Sequence, residues 1–314
     1  IRGIHNIRPR HRGAAVTIGN FDGVHLGHQA MIAKLRETAA RRGRPAYVVT
    51  FEPHPAEYLT PLRAPARLTG LREKLQRLAS TGIDGVCVLK FDRDLAGSDA
   101  VSFANDLLSG QLDVSHILIG DDFRFGSARG GDWQLLQELG QRAGFDVCSM
   151  ATVEIDQERV SSTRIRAALA VGDFVAAEQL LGLPYRVSGR VVHGDAMGRR
   201  LGWPTANLRL PAARLPLQGI YAARAYGGGL QGWPAAVSVG VRPTVDGRMT
   251  VFEAHLIGFT GDLYGSHMSV EPVKRLRGAQ QFADLDALAA QIGRDIETAK
   301  QVLRGNPDLD EAAT

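Results

Sequence analysis

The stretch GNFDGVHLGH, residues 19 to 28, sets two histidines three positions apart where the apolar run AAVTI gives way to a helix-like sequence. About one helical turn separates His25 from His28, so both can point the same way, and paired imidazoles at such a corner suit phosphate oxygens. Gly19, Gly23 and Gly27 permit close approach and unusual backbone angles around them. A zinc centre would need further ligands close by. The nearest candidate, His54 in TFEPHP, reads better as part of another strand-end loop. A second cluster stands at Ser161, Ser162, Thr163 and Arg166, where hydroxyl side chains open a helix and a guanidinium follows one turn later. Hydroxyls and free N–H groups at a helix start bind phosphate, and the arginine can neutralise phosphate charge. The same hydroxyls serve equally well as ordinary helix caps.

Three further segments carry polar groups in telling places. GDDFRFGSARGGD, from residue 120, offers Phe123 and Phe125 to stack on a ring and Asp121 and Asp122 to accept hydrogen bonds; an acidic turn over core aromatics is an equal reading. GRVVHGDAMGRRLGWPTANL, residues 189 to 208, is a strand, a loop holding Gly194 and Gly198, and a second strand. It is no Walker A loop, because G-x-x-x-x-G-K-[ST] is absent. A glycine-rich turn between strands can still drape over phosphates. Thr205 and Asn207, two apart, share a strand face from which a hydroxyl and an amide oxygen can meet a Mg²⁺ that bridges nucleotide phosphates. Glu253 is a carboxylate inside the otherwise apolar TVFEAHLIGF, which makes it either an outward-facing polar position or a general base.

The elements that must position these groups follow two grammars. From residue 14 to 182, β-branched runs alternate with helical periodicity: AAVTIG and 25 to 42, AYVVTF and LTGLREKLQRLAS, GVCVLKF and 98 to 109, HILIG and GDWQLLQELGQRAG. That alternation predicts a doubly wound parallel sheet. One helix is expected from SSTRIR to Gly182 and Pro184, which end the first domain, 1–183. In the second domain, 184–314, six strand-like runs follow without intervening helices, predicting an antiparallel β-barrel, and the amphipathic segment 284 to 304 packs on it. GNPDLDEAAT predicts a frayed tail. Cys87 and Cys148 lie in apolar, strand-like runs and read as buried thiols.

A chain of 314 residues with 44% hydrophobic and 22% charged residues reads as a soluble two-domain protein. Its apolar runs are too short to cross a bilayer, and IRGIHNIRPR lacks the apolar core of a signal peptide, so the expected location is cytoplasmic with no membrane partner. The net charge of +4 is scattered over the chain. No basic stripe interleaved with aromatics argues for nucleic acid. A homo-oligomer is left open.

H-x-G-H followed far downstream by S-S-T-x-x-R resembles the nucleotidylyltransferase superfamily. PTAN, the spaced glycines before it, GIYAA, VGVRPT, the strand glutamate and GDLYG resemble, in this order, the riboflavin kinase domain, a small β-barrel. Over residues 14 to 304 the chain resembles the bacterial bifunctional riboflavin kinase/FMN adenylyltransferases, also called FAD synthetases. That resemblance implies that the barrel makes FMN from riboflavin and ATP and that the α/β domain joins FMN to AMP from a second ATP, giving FAD and pyrophosphate. It implies that His25 and His28 bind ATP phosphates, that Ser162, Thr163 and Arg166 complete the site, and that Gly19, Phe21, Asp22 and Gly27 line it. Asp122, Phe123 and Phe125 would then touch flavin or nucleotide. In the barrel the resemblance implies Mg²⁺-ATP on Thr205 and Asn207, a phosphate flap at Gly194 and Gly198, and Glu253 as the base for the ribityl 5′-hydroxyl. Arg277 would contact flavin or order a loop. Two places depart from the family pattern, Gly258-Phe259 before D-L-Y-G and Ser238 before Val239-Gly240. Rival readings keep the barrel as a flavin-binding module without kinase activity, or make the chain an RNA-binding protein, against which the K-M-S-K-S element of class I synthetases is missing.

Overall fold

The computed structural model describes residues 1–194, 197–210, 214–244 and 247–304. The expected tail, 305–314, lies outside them. By compactness the chain forms two units, Ile1–Pro65 with Leu71–Ser162, and Ala66–Gly70 with Thr163–Thr314.

The first unit is built on five parallel strands, β1 (Ala15–Ile18), β2 (Ala46–Glu52), β3 (Gly85–Lys90), β4 (His116–Gly120) and β5 (Asp146–Met150), ordered β3-β2-β1-β4-β5. All four residues of β1 are buried, as a strand covered on both faces must be. Because β2 and β4 flank β1 on opposite sides, the chain leaving the carboxyl end of β1 enters the switch point where open α/β sheets hold ligands. That chain is GNFDGVHLGH. It leads into helix α1 (Leu26–Arg41); α2 (Pro55–Leu59) and α3 (Leu71–Ser80) follow β2. A two-stranded ribbon, β6 (Glu154–Ile155) and β7 (Glu158–Arg159), precedes the Ser162 helix.

Three expectations need correction. Cys87 is buried, but Cys148 is exposed, because β5 is an edge strand whose outer positions reach water. The expected helix over 98 to 109 is a short α-turn at Ala100–Ser102 that continues as a π-helix, Phe103–Gln111. The single helix expected after Ser161 is two, Ser162–Val171 and Phe174–Leu181. Gly172 takes φ 84°, and the Asp173 carboxylate accepts the Ala176 N–H at 2.9 Å, so a left-handed glycine stops one helix and an aspartate caps the next. By compactness this pair groups with the second unit.

The second unit is a closed barrel of β8 (Val187–Val192), β9 (Ala206–Arg209), β10 (Gly219–Gly227), β11 (Leu230–Thr244), β12 (Gly247–Leu256) and β13 (His267–Arg277), ordered β10-β11-β12-β9-β8-β13. All six expected runs are strands. The final helix, Leu285–Arg304, lies on the barrel wall, packing Ile296, Ala299 and Leu303 against Ala222 and Ala236, whose small side chains let the helix come close. Arg277 at the end of β13 anchors that helix through a forked pair with Asp295, at 3.0 and 3.1 Å from Nε and 2.7 Å from Nη2. Asp295 is itself buried.

Candidate functional site

The corner after β1 is held in an unusual backbone shape. Phe21, Gly23 and Val24 all have positive φ, at 48°, 85° and 46°. For the two non-glycine residues that conformation costs on the order of 1–2 kcal/mol each. Burial offsets it: Phe21 and Val24 are core residues, 1% and 2% exposed, packed with Ile32 and Leu78. Helix α3 braces the same turn from beneath. The buried Lys74 ammonium donates to the Asn20 carbonyl at 2.8 Å, and Arg77, paired with Glu73, donates to the Gly23 carbonyl at 3.3 Å. The Ser162 hydroxyl closes the other side by donating to the Asp22 carbonyl at 2.9 Å.

The two histidines come together as their spacing predicts. His25 is the N-cap of α1, its Nδ1 accepting the His28 N–H at 3.4 Å. An Nδ1 that accepts leaves Nε2 to carry the proton of a neutral ring. The two rings stack with centroids 3.6 Å apart and planes 19° from parallel, and Phe21 lies against His28 at 4.8 Å. A Cβ at Gly27 would sit 3.2 Å from the His25 ring, so a glycine between the histidines lets the imidazole lie flat on the helix start. The side chain of Gly19 is missing for a like reason, as a Cβ there would meet the Phe21 ring at 3.2 Å. Burial first, then the neighbouring His25, Lys74 and Arg159, hold the His28 pKa well below its ordinary 6.5, and its Nδ1 is buried with no hydrogen-bond partner among the described residues. His28 is thus held as a neutral imidazole at the positive end of α1.

The loop after β4 divides its residues. Asp122 pairs with Arg159 of β7 at 2.8 Å, which holds its carboxyl below the usual range, and Asp121 accepts from Thr152 at 2.9 Å. Phe125 is core, 6% exposed and 5.7 Å from Phe103, while Phe123 stacks on it, half-buried, at 5.6 Å. Asp121 and Asp122 are exposed, whereas Phe123 packs against the same core as Phe125. Thr163 is exposed, and Arg166 donates to the Ala66 carbonyl at 2.5 Å within the second unit. His54 caps α2, accepting the Ala56 N–H at 3.1 Å.

In the barrel, register does what the sequence left undecided for Glu253. β12 pairs with β9 so that Glu253 stands directly opposite Asn207, Ser238 of β11 flanks Glu253 on its other side, and Val192 of β8 lies beyond Asn207. Glu253 and Asn207 are both half-buried. The two glycines of the preceding loop pack onto the same groups: a Cβ at Gly194 would fall on the Asn207 amide, and one at Gly198 would fall on the Trp203 carbonyl and lie 3.2 Å from the Thr205 hydroxyl. Thr205 stands just ahead of β9, outside the strand face it was expected to share with Asn207, and borders a cleft of about 100 Å³ lined also by Arg199, Ala206, Ala254, Asp262 and Tyr264. By strand alternation the Glu253–Asn207 pair lies on the opposite face from Ala206 and Ala254. The Tyr264 ring stacks on His193 at 3.8 Å, and its hydroxyl accepts from Arg199 at 3.4 Å. Gly258, one of the departures from the family pattern, turns with φ 72° after β12, a conformation that favours glycine. Arg277 is engaged by Asp295 and Gly278.

Sequence reasoning missed Lys74 and Arg77. A signal for Lys74 existed, since it falls on the Leu71, Leu75, Leu78 stripe of α3, where an apolar residue is expected.

An imidazole pair on the helix that follows a central parallel strand, and a carboxylate facing an amide across two barrel strands, belong to a two-domain enzyme of phosphate-group transfer. Residues 7–164 match the family model described as FAD synthetase, and residues 181–303 match that described as riboflavin kinase. Proteins named bifunctional riboflavin kinase/FMN adenylyltransferase from Pseudomonas fluorescens and Escherichia coli K12 are each 47% identical over 302 residues, covering 96% of both chains. One from Haemophilus influenzae is 43% identical over 300 residues, covering 96% of this chain and 97% of its own. A crystal structure described as a macrolide-efflux protein from Streptococcus pneumoniae superposes with TM-score 0.75 at 30% identity, covering 96% of this chain and 98% of that one. The chain belongs to the bifunctional riboflavin kinase/FMN adenylyltransferase family. No helix among the described residues is long and apolar enough to cross a membrane.

Proposed function

We propose that adenylyl transfer takes place at the His25–His28 corner and phosphoryl transfer at the Glu253–Asn207 row. The two activities are those of the family: phosphorylation of riboflavin to FMN, and adenylylation of FMN to FAD with release of pyrophosphate. The observation that carries the assignment of residues is that the stacked histidines and the carboxylate–amide row lie in different compact units, each matched by its own family model.

In the first unit an oxygen of the FMN phosphate attacks the α-phosphorus of ATP while the bond to the bridging oxygen of pyrophosphate breaks. No protein nucleophile and no proton acceptor are needed. The residues align the chain of phosphates and spread its charge. His25 and His28 donate N–H groups, Gly19 and Gly27 permit close approach, Phe21 and Asp22 shape the turn, and Ser162 meets the leaving pyrophosphate. Asp122 and Phe123 border the acceptor.

In the barrel the 5′-oxygen of the ribityl chain bonds to the γ-phosphorus as ADP departs, and Glu253 takes the hydroxyl proton. Gly194 and Gly198 bring backbone to the phosphates because neither carries a Cβ that would collide with Asn207 or Thr205. A hydroxyl and an amide oxygen are hard donors that fit Mg²⁺, a cation that keeps several waters and shares substrate phosphates. When bound on Thr205 and Asn207, Mg²⁺ neutralises phosphate charge. A reaction fed by ATP suits a cytoplasmic enzyme.

Purified protein given riboflavin, ATP and Mg²⁺ converts the flavin to FMN and then FAD, with ADP from the first step and pyrophosphate from the second, resolved by chromatography. A chain that yields neither flavin nucleotide overturns the reading.

A further inference from the structure

We propose that Lys74 is a positioning residue of the adenylyl-transfer site: from helix α3 it fixes the Asn20 carbonyl and sets a positive charge near His28. The inference rests on the assignment of adenylyl transfer to that corner. A lysine 1% exposed is rare, because a buried ammonium is strongly disfavoured unless its hydrogens are taken up. Here one is given to the Asn20 carbonyl at 2.8 Å. Asn20 immediately precedes Phe21, so the bond clamps the entry to the run of positive-φ residues that delivers His25 to the head of α1. A methionine or leucine on that stripe would pack as well, yet it would leave the carbonyl without its donor. The charge has a second consequence. Beside His25 and Arg159, Lys74 is one of three basic neighbours that disfavour a proton on His28. The Lys74 charge thus works against protonation of His28.

Two substitutions separate the parts of this role. Lys74→Gln keeps an N–H donor and removes the charge; Lys74→Met removes both. FAD formation from FMN, followed by pyrophosphate release, is expected to fall in kcat about tenfold in the glutamine variant and on the order of a hundredfold in the methionine variant, the loss that misplacing a positioned group by an ångström brings. The KM for FMN changes little. Riboflavin phosphorylation by the same preparations stays within about twofold, since the barrel holds none of these groups. Because opposite or like charge sets where an imidazole titrates, the acid limb of the FAD-forming reaction, and the His28 signal in nitrogen-labelled NMR spectra, move to higher pH in both variants. Lys74→Arg keeps the charge and retains the wild-type limb. Unchanged kcat in Lys74→Met would overturn the proposal. So would an acid limb that stays in place in Lys74→Gln, or one displaced in Lys74→Arg as far as in Lys74→Gln. Failure of wild-type protein to make FAD would instead sink the underlying assignment.

Discussion

The two proposed sites are constructed in opposite ways. The histidine corner comes from one loop and its helix: His25 and His28 are three residues apart, buried or nearly so, and held by strained backbone under α3. The barrel row comes from distant segments, with Asn207 and Glu253 46 positions apart in sequence and joined only by the pairing of β9 with β12. Its groups are half-buried on a strand surface, and the loop that covers them is shaped by absent side chains. A rigid, pre-formed corner suits a reaction that asks for alignment of phosphates alone. An open strand face suits one that must also admit an alcohol and remove its proton.

That contrast can be broken most sharply by exchanging losses between the regions. Glu253→Gln removes the proposed base and leaves the shape, so riboflavin phosphorylation is expected to fall by about 10²–10⁴ while FAD formation from supplied FMN continues. His28→Ala does the reverse, cutting FAD formation by on the order of 10² while FMN still accumulates. Paired assays of ADP and pyrophosphate read both. If either substitution lowers both activities together, the two sites are not separate.

A smaller effect tests whether glycine serves each region differently. Gly194→Ala puts a methyl on the Asn207 amide and is expected to raise the kinase KM for ATP by about tenfold, as the loop lifts off its row. Gly27→Ala presses at 3.2 Å on the His25 ring, which can shift a little, and costs about threefold in adenylyl transfer. Steady-state kinetics on the two variants decide it, and equal losses would mean that the corner is no stiffer than the flap.

The smallest effect is on stability. Burial lowers the pKa of His28 and of His116 in the first unit, His116 being affected also by Arg42, with Asp146 opposing. Both groups bind their proton more weakly folded than unfolded. The unfolded chain therefore takes up protons first as pH falls below about 6.5, and stability present above that value is lost. Urea midpoints of the first unit, followed through Trp133 with Trp203 and Trp233 changed to Phe, should decline between pH 7 and 5. In His28→Phe the decline should be shallower.

Much of this was readable from residues alone. Strand and helix periodicity placed the five strands of the sheet, the six of the barrel and the last helix, and His25, Gly27 and His28 carried their meaning in three adjacent turns of phrase, because contacts made within one helical turn depend on spacing. Where a glycine and a capping aspartate interrupted apolar periodicity, at Gly172 and Asp173, the periodic pattern overran the break. Phe125 could not be told from Phe123, since which aromatic faces the core depends on Phe103 from another element.

What the amino-acid order determined by itself is the local chemistry: which groups can hold phosphate, which can take a proton, and which segments form strands or helices. Tertiary structure alone decided that Glu253 meets Asn207, that Gly194 and Gly198 back onto Asn207 and Thr205, that Arg277 is taken by Asp295, and that a lysine from α3 holds the Asn20 carbonyl. The physical reason is that register and packing are set by the summed burial of many side chains across the whole sheet or barrel, a quantity no short stretch of sequence contains.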